Sequence, residues 1–302
     1  MNHRRKRRGA FVAAAALAGL VAPFGASSAA APAGDAGLAR VVVSKPAPGV
    51  IGEAIAAVAP GGTIRIHGGR YRESLLIEKP GVKLIAAGRG RPTIDGRCEL
   101  PSAVTIHSGG VTLKGLKVVG GARFANVDFN GATSGRAKDL RLRNTCEAEY
   151  GINAFATGAM QITNNRATGF TDAGIYVGGI SSTPNGTLFV GDNVTSDNNK
   201  GIIVEDSAGG DIALLSNEVH ENDIPGIGEE VGIWLNASDG VRIAPNRIRA
   251  NGSVGLLLTP DSDNNLITGN EITANPTDVL NEGLGNCGSA NTFATGGPLA
   301  PC

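Results

Sequence analysis

The chain has 302 residues, with 27 Lys and Arg against 27 Asp and Glu, 45 Gly, 4% aromatic residues and 41% apolar residues. That apolar fraction excludes general disorder, and the absence of a Gly-X-Y period excludes collagen. Many glycines with few aromatics predict numerous tight turns around a core of small aliphatic side chains.

The first eight residues carry five cations, Arg4, Arg5, Lys6, Arg7 and Arg8. An apolar run from Ala10 to Phe24 and the small-residue stretch GASSAAAPAG follow. This is the layout of a secretory signal peptide, and the run is short of the roughly 20 residues that span a membrane. Cleavage is expected between Ser28 and Ala31, so residues 1–31 are read as signal and 32–302 as the mature domain. Arg7-Arg8 does not complete a twin-arginine motif, because Phe11 sits one place too late. Without the five leading cations the balance is 22 against 27, a net charge of about −5. That balance disfavours nucleic acid and anionic membrane as partners. A secreted, extracellular monomer is expected.

Next in the chain, GVIGEAIAAVAPGG predicts a short amphipathic helix ending at Gly61-Gly62. It is placed to cover the open end of a repeat stack, as terminal caps must. TIRIHGGRYRESLLIEKPGVKLIAAG and RPTIDG supply the first strands, and residues 103–150 give two less regular coils. From there a repeat is plain: GINAFATGAMQITNNRATGF, GIIVEDSAGGDIALLSNEVHEN, GIWLNASDGVRIAPNRIRAN and GLLLTPDSDNNLITGNEITAN align directly. The opening glycine recurs at 151, 174, 201, 232 and 255, with gaps of 23, 27, 31 and 23 residues. The extra length falls in loops such as SSTPNG and DIPGIGEE.

Three short strands in about 23 residues make one coil of a parallel β-helix. Ile202 and Val204, Ile233 and Leu235, Leu256 and Leu258 alternate inward. Asn144, Asn165, Asn193, Asn217, Asn246 and Asn270 are assigned to one structural turn between second and third strands, where asparagine tolerates left-handed backbone and stacks along the axis. Asn198, Asn222, Asn251 and Asn275 mark a second column. The expected fold is all-β, a right-handed single-stranded parallel β-helix with a short N-terminal capping helix. Four cysteines in an exported chain predict two disulfides. Three pairings are open; Cys287 with Cys302 is preferred because it staples the Gly-rich tail, which leaves Cys98 with Cys146.

The opening segment, the Gly-strand and Asn repeats, and the ending together resemble the secreted bacterial right-handed β-helix proteins of the pectin-lyase-like superfamily. The resemblance covers nearly all of the mature chain. It implies the fold and a polysaccharide partner, in a superfamily that includes pectate lyases, polygalacturonases, alginate epimerases and copper-site maturation proteins. The catalytic signatures are missing: there is no Gly-His-Gly, Arg-Ile-Lys, Asp-Pro-His-Asp or Trp-Ile-Asp-His. Copper chemistry wants soft or imidazole ligands, yet His67, His107 and His220 are far apart and methionine occurs only at Met1 and Met160.

The repeat register still selects a face. Two residues before each opening glycine lie Glu149, Asp172, Asn199, Glu230 and Ser253, and two residues after it lie Asn153, Tyr176, Ile203, Trp234 and Leu257. The second set points outward. Asp172, Glu230, Lys200 and Glu149 are the candidate catalytic residues. The carboxylates would serve as acid and base for glycosidic cleavage or, for Asp172 and Glu230, as Ca²⁺ ligands holding an acidic sugar. Lys200 would be the proton acceptor of an elimination. Tyr176, Trp234, Glu205 and Asp206 are candidate substrate contacts, and His220 is read as structural. Two functions follow: a protein that binds or processes polysaccharide along this first-strand face, as a lyase or glycoside hydrolase if it is an enzyme, or a non-catalytic surface scaffold or adhesion protein using the same face. The competing reading of every charge named is an ordinary solvated repeat surface.

Overall fold

The computed structural model describes residues 37–302 except Pro184, Asn185 and Pro298. The expected signal segment lies outside the described residues. Three parallel sheets run through the described residues, and each complete coil contributes one strand to each. The first-strand sheet has nine strands, from Leu75–Ile77 to Thr277–Asn281, and the third-strand sheet has nine, from Arg70–Tyr71 to Glu271–Thr273. The second-strand sheet has eleven, because Leu38–Val43 and Val58–His67 extend it at the N-terminal end. Ile152, Ile175, Ile202, Ile233, Leu256 and Val279 stack in register and are fully buried. Small aliphatic side chains suffice because each coil encloses a space only one or two side chains wide.

The capping helix is Val50–Ala57, with Ile51, Ala54 and Ile55 buried. It ends earlier than the hydrophobic pattern suggests, because Val58 turns to extended backbone and begins the next strand. The strand Leu38–Val43 has no counterpart in the sequence reading; it pairs with Val58–His67.

The asparagine column does more than tolerate a turn. Asn193 Oδ1 accepts both the backbone N–H and the Nδ2 of Asn165, each at 2.9 Å. Its own Nδ2 donates to Asn217 Oδ1 at 3.0 Å and to the Ile162 carbonyl at 2.8 Å. The same pattern repeats through Asn217, Asn246, Asn270 and Asn291. Asn144 is a correction. It follows the third strand Arg141–Arg143, where its Oδ1 accepts from Cys146 and Ala148, and the position equivalent to Asn165 is Leu140. The second column, Asn198, Asn222, Asn251 and Asn275, forms its own ladder. A third corner is laddered by serine hydroxyls, Ser207, Ser238 and Ser262.

These ladders explain the recurring glycine. A Cβ on Gly232 would stand 2.7 Å from Asn251 Nδ2 and 2.5 Å from the Gly255 carbonyl oxygen, and one on Gly255 would stand 2.7 Å from Asn275 Nδ2. Both disulfides join as expected: Cys98 to Cys146, which ties corners two coils apart, and Cys287 to Cys302, which closes the tail.

Two outcomes test this scaffold. Asn217→Ala strands the Asn193 N–H and Nδ2 and the Val190 carbonyl, all buried. At about 1–3 kcal/mol for an unsatisfied buried group, denaturant unfolding is expected to register a loss of several kcal/mol, and an unchanged midpoint contradicts the ladder's role. Asp278 ends the second ladder and accepts the amides of Ala294 and Thr295. Burial raises its pKa, but the hydrogen bonds from Ala294, Asn275 and Thr295 prevail and hold it below the usual carboxylate range. A depressed folded pKa gives stability present above the unfolded value of about 3.9 and lost as pH falls through the folded value. Hydrogen exchange at Ala294 and Thr295 should therefore accelerate on acidification, and Asp278→Asn should remove that dependence.

Candidate functional site on the first-strand face

The outward column of the first-strand sheet is Asp128, Asn153, Tyr176, Ile203, Trp234, Leu257 and Leu280 in unbroken register. Its centre is aromatic. Tyr150 sits edge-on to Phe124 at 5.5 Å and lies against Tyr176 at 4.7 Å with the planes tilted by 43°. The Tyr176 ring lies over Gly178, where a Cβ would meet it at 2.4 Å. Only glycine lets the ring lie down along the strand, so the sequence Tyr-Val-Gly sets its orientation. Tyr176 donates its hydroxyl to Glu205 Oε2 at 2.7 Å, and Asn236 Nδ2 donates to Glu205 Oε1 at 2.6 Å. Asn236 in turn accepts from Thr259 Oγ1 at 3.3 Å. Glu205 is therefore held by groups from two neighbouring coils. Burial, reinforced by the bond to Glu205, pushes the Tyr176 hydroxyl well above the usual range, and exposed Asp206 adds to the effect.

Carboxylates flank this step. Burial raises the Glu149 pKa, and nearby Asp172 raises it further. Burial, then Asp172 and Glu149, push Tyr150 upward as well. Glu149, Asp172, Tyr150 and Tyr176 thus form one group spanning two adjacent coils. Glu230 stands apart. It lies two coils beyond Asp172, about 10 Å at the spacing of paired strands, with Asn199 between, and its Cβ packs beside Gly252. Asp172 and Glu230 do not converge on a shared Ca²⁺, and among the described residues no cluster of three His, Cys, Asp or Glu side chains is placed to hold a metal.

Lys200 has a different role from the one its position suggested. Its side chain is fully buried. Its Nζ donates to Asp172 Oδ1 at 2.9 Å, to Asn199 Oδ1 at 2.6 Å and to the Ile227 carbonyl. An ammonium has three N–H donors, and all three are engaged. A proton acceptor needs a free lone pair and must reach the substrate; Lys200 Nζ faces three acceptors and is closed off from solvent. It instead fastens the insertion at 223–230, together with Asn199, which donates to the Ile224 carbonyl at 3.0 Å. Under that insertion lies a cavity of about 280 Å³ lined by Lys200, Glu229, Trp234, Leu257 and Glu282 among others. The Lys200 ammonium stands 5.0 Å from the Trp234 ring, whose Nε1 is buried without a partner.

Tyr150, Asn236, Glu229 and Glu282 were missed in the sequence. Tyr150 was accessible: it precedes the opening glycine, one place from the column that was read. Glu229 and Glu282 were not, because the insertion and the last coil break the repeat spacing.

These features define a right-handed parallel β-helix protein with an aromatic and acidic first-strand face. The family model described as NosD, periplasmic copper-binding protein, matches residues 101–298, and the chain belongs to that family. A periplasmic family and two disulfides mark an exported protein. Among solved structures, the chain is similar to pectate lyase Pel9A, at 15% identity over 87% of this chain and 80% of that one, with a TM-score of 0.64. It is also similar to an alginate lyase from Paenibacillus sp. str. FPU-7, at 13% identity over 87% and 97%, with a TM-score of 0.55. No curated protein matches the sequence. At these identities the likeness is one of fold.

The described residues do not fit copper. All four cysteines are consumed in disulfides, and Met160 is fully buried in the core. His67 is half-buried beside Gly88, His107 is exposed, and His220 lies on the third-strand face beside Glu221.

Removing the Lys200 ammonium tests its structural role. Lys200→Met leaves Asp172 buried without its cation, which typically costs about 3–5 kcal/mol, and frees the Ile227 carbonyl. Limited proteolysis is expected to cut within 223–230 in the variant and not in the parent. Equal resistance of both contradicts the assignment.

Proposed function

We propose that this exported protein binds a polysaccharide along its first-strand face and does not cleave it. The observation that carries the proposal is the Tyr150–Tyr176 step flanked by the Glu149 and Glu205 carboxylates. Aromatic rings offer flat apolar surface to the C–H faces of sugar rings. Carboxylates accept hydrogen bonds from sugar hydroxyls, and such charge-assisted bonds are the stronger kind. Neighbouring coils repeat about every 4.8 Å, so a linear polymer lying along the solenoid axis meets equivalent positions in turn. The fold likeness to proteins titled pectate lyase and alginate lyase agrees with a polysaccharide partner.

Binding is favoured over elimination because Lys200 is spent on Asp172, Asn199 and Ile227. It is favoured over acid–base hydrolysis because Asp172 is committed to Lys200, which leaves Glu149 without a free carboxylate partner. The donor set of the described residues does not fit copper, and this reading passes through no metal. The destination is the cell exterior, and the face serves attachment or retention of the polymer.

Affinity electrophoresis through gels carrying a panel of soluble polysaccharides tests this directly. At least one polymer is expected to retard the protein, and Tyr176→Ala should weaken retention by about 2- to 10-fold, the worth of one aromatic contact. Reducing ends and unsaturated-product absorbance should stay flat, with or without chelator. Retention that survives both Tyr150→Ala and Tyr176→Ala contradicts the assigned face, and product release contradicts the non-catalytic reading.

A further inference from the structure

The balanced charge of the whole chain conceals a strong segregation. Residues 37–170 carry 18 Lys and Arg against 9 Asp and Glu, whereas residues 171–302 carry 4 against 17. Within the positive half the cations are concentrated at one edge of the solenoid, the corner joining second and third strands. Lys117, Arg141 and Arg166 lie directly opposite one another on successive third strands. Lys114 and Lys138 are opposite one another on successive second strands, with Arg136 one outward position away from Lys138. Of these six, Lys117 is half-buried and the rest are exposed, and none forms an ion pair among the described residues.

Like charges directly opposite one another on paired strands destabilise a sheet. The same face shows the normal remedy a few coils further on. There Glu218, Arg247 and Glu271 occupy the equivalent outward column with alternating sign. Arg247 pairs with Glu271 at 3.4 Å, and Arg249 pairs with Glu218 at 3.1 Å. Along this column the fold alternates sign in the C-terminal coils and stacks like charges from Lys117 to Arg166. Two carboxylates lie at this corner without an ion pair to the six cations: Asp139, which accepts from Asn164, and Asp192, which lines a shallow groove with Lys138. Beside the corner, on the second-strand sheet, a groove opens. It measures about 570 Å³ and is lined in part by Arg136, Gln161, Phe189 and Arg242.

We propose that this corner is a second binding site, separate from the first-strand face, and that its ligand is a linear acidic polysaccharide bearing carboxylates along its length. Cations stepped at the strand spacing of about 4.8 Å match a polymer that presents an anion at sugar-ring intervals, lying along the solenoid axis. The export of this protein and the half-buried Phe189, which lines the same groove as Arg136, favour an acidic sugar chain over nucleic acid. The site does not depend on the first-strand reading, since it shares no residue with it.

The test uses the full mature chain and polygalacturonate as probe, by titration calorimetry at low and moderate salt. Binding is expected at low salt, to weaken as salt rises, and to be absent with neutral dextran. The variant Lys117→Gln/Arg141→Gln/Arg166→Gln should bind about tenfold more weakly, as expected for three exposed charge contacts. Its thermal midpoint should be equal or higher, because repulsion is relieved; a lowered midpoint would instead show a structural role and overturn the proposal. Arg247→Gln, in the compensated column, should leave polygalacturonate affinity unchanged. Absence of polygalacturonate binding, or binding indifferent to the triple variant, overturns the site. Tighter binding of a single-stranded oligonucleotide of equal charge overturns the choice of ligand. A salt-sensitive dimer that disappears in the triple variant identifies a second copy of the chain as the occupant and likewise overturns it.

Discussion

Each coil from Asn165 to Asn270 turns a corner in which one carboxamide bonds to the coil before and the coil after, and Asn291 ends the ladder. A corner of this kind is buried, and its backbone amides have no sheet partner. Without the side chain they would be left unsatisfied at a cost of about 1–3 kcal/mol each. Asparagine meets the need because one planar group both accepts and donates. It also reaches only far enough to serve the neighbouring coil, so the ladder locks register. Because side chains alternate between inside and outside, a slip of one residue would turn a whole strand inside out. The faces of this protein are therefore consequences of its corners.

Much of this was legible in the sequence, for a physical reason. A solenoid repeats the same local environment, so the same residue types recur at the same offsets, and the recurring glycine and asparagine mark where space and hydrogen bonding are least negotiable. Legibility failed where the environment stops repeating. Asn144 shares only the residue type: its carboxamide closes a local turn after the third strand rather than joining the ladder. The strand Leu38–Val43 exists because the first full coil needs a partner on its open edge, a demand of the fold's end and not of its period.

The outward column was placed correctly from the glycine register, and Tyr176 and Trp234 fall in it. What the sequence did not show was chemistry that depends on reach. Lys200 aligns with small or apolar residues in adjacent coils, Ala173 among them. The alignment does not reveal that its ammonium turns back beneath the 223–230 insertion to meet Asp172 and a carbonyl. A buried ion pair of this type costs desolvation that its partners must offset, and here they fix an irregular loop onto a regular sheet. The charge segregation between the two halves was present in the sequence but was averaged away by a net balance taken over the whole chain.

The central claim is that the carboxamide ladder is a cooperative structural element and not a set of tolerant turns. Hydrogen exchange of the asparagine side-chain amides, resolved by ¹⁵N-edited NMR, tests it most directly. The account predicts that the Nδ2 protons of Asn193, Asn217 and Asn246 exchange as slowly as the strand amides around them, through global unfolding. Exchange of these protons at the rate of exposed Asn164 would contradict it.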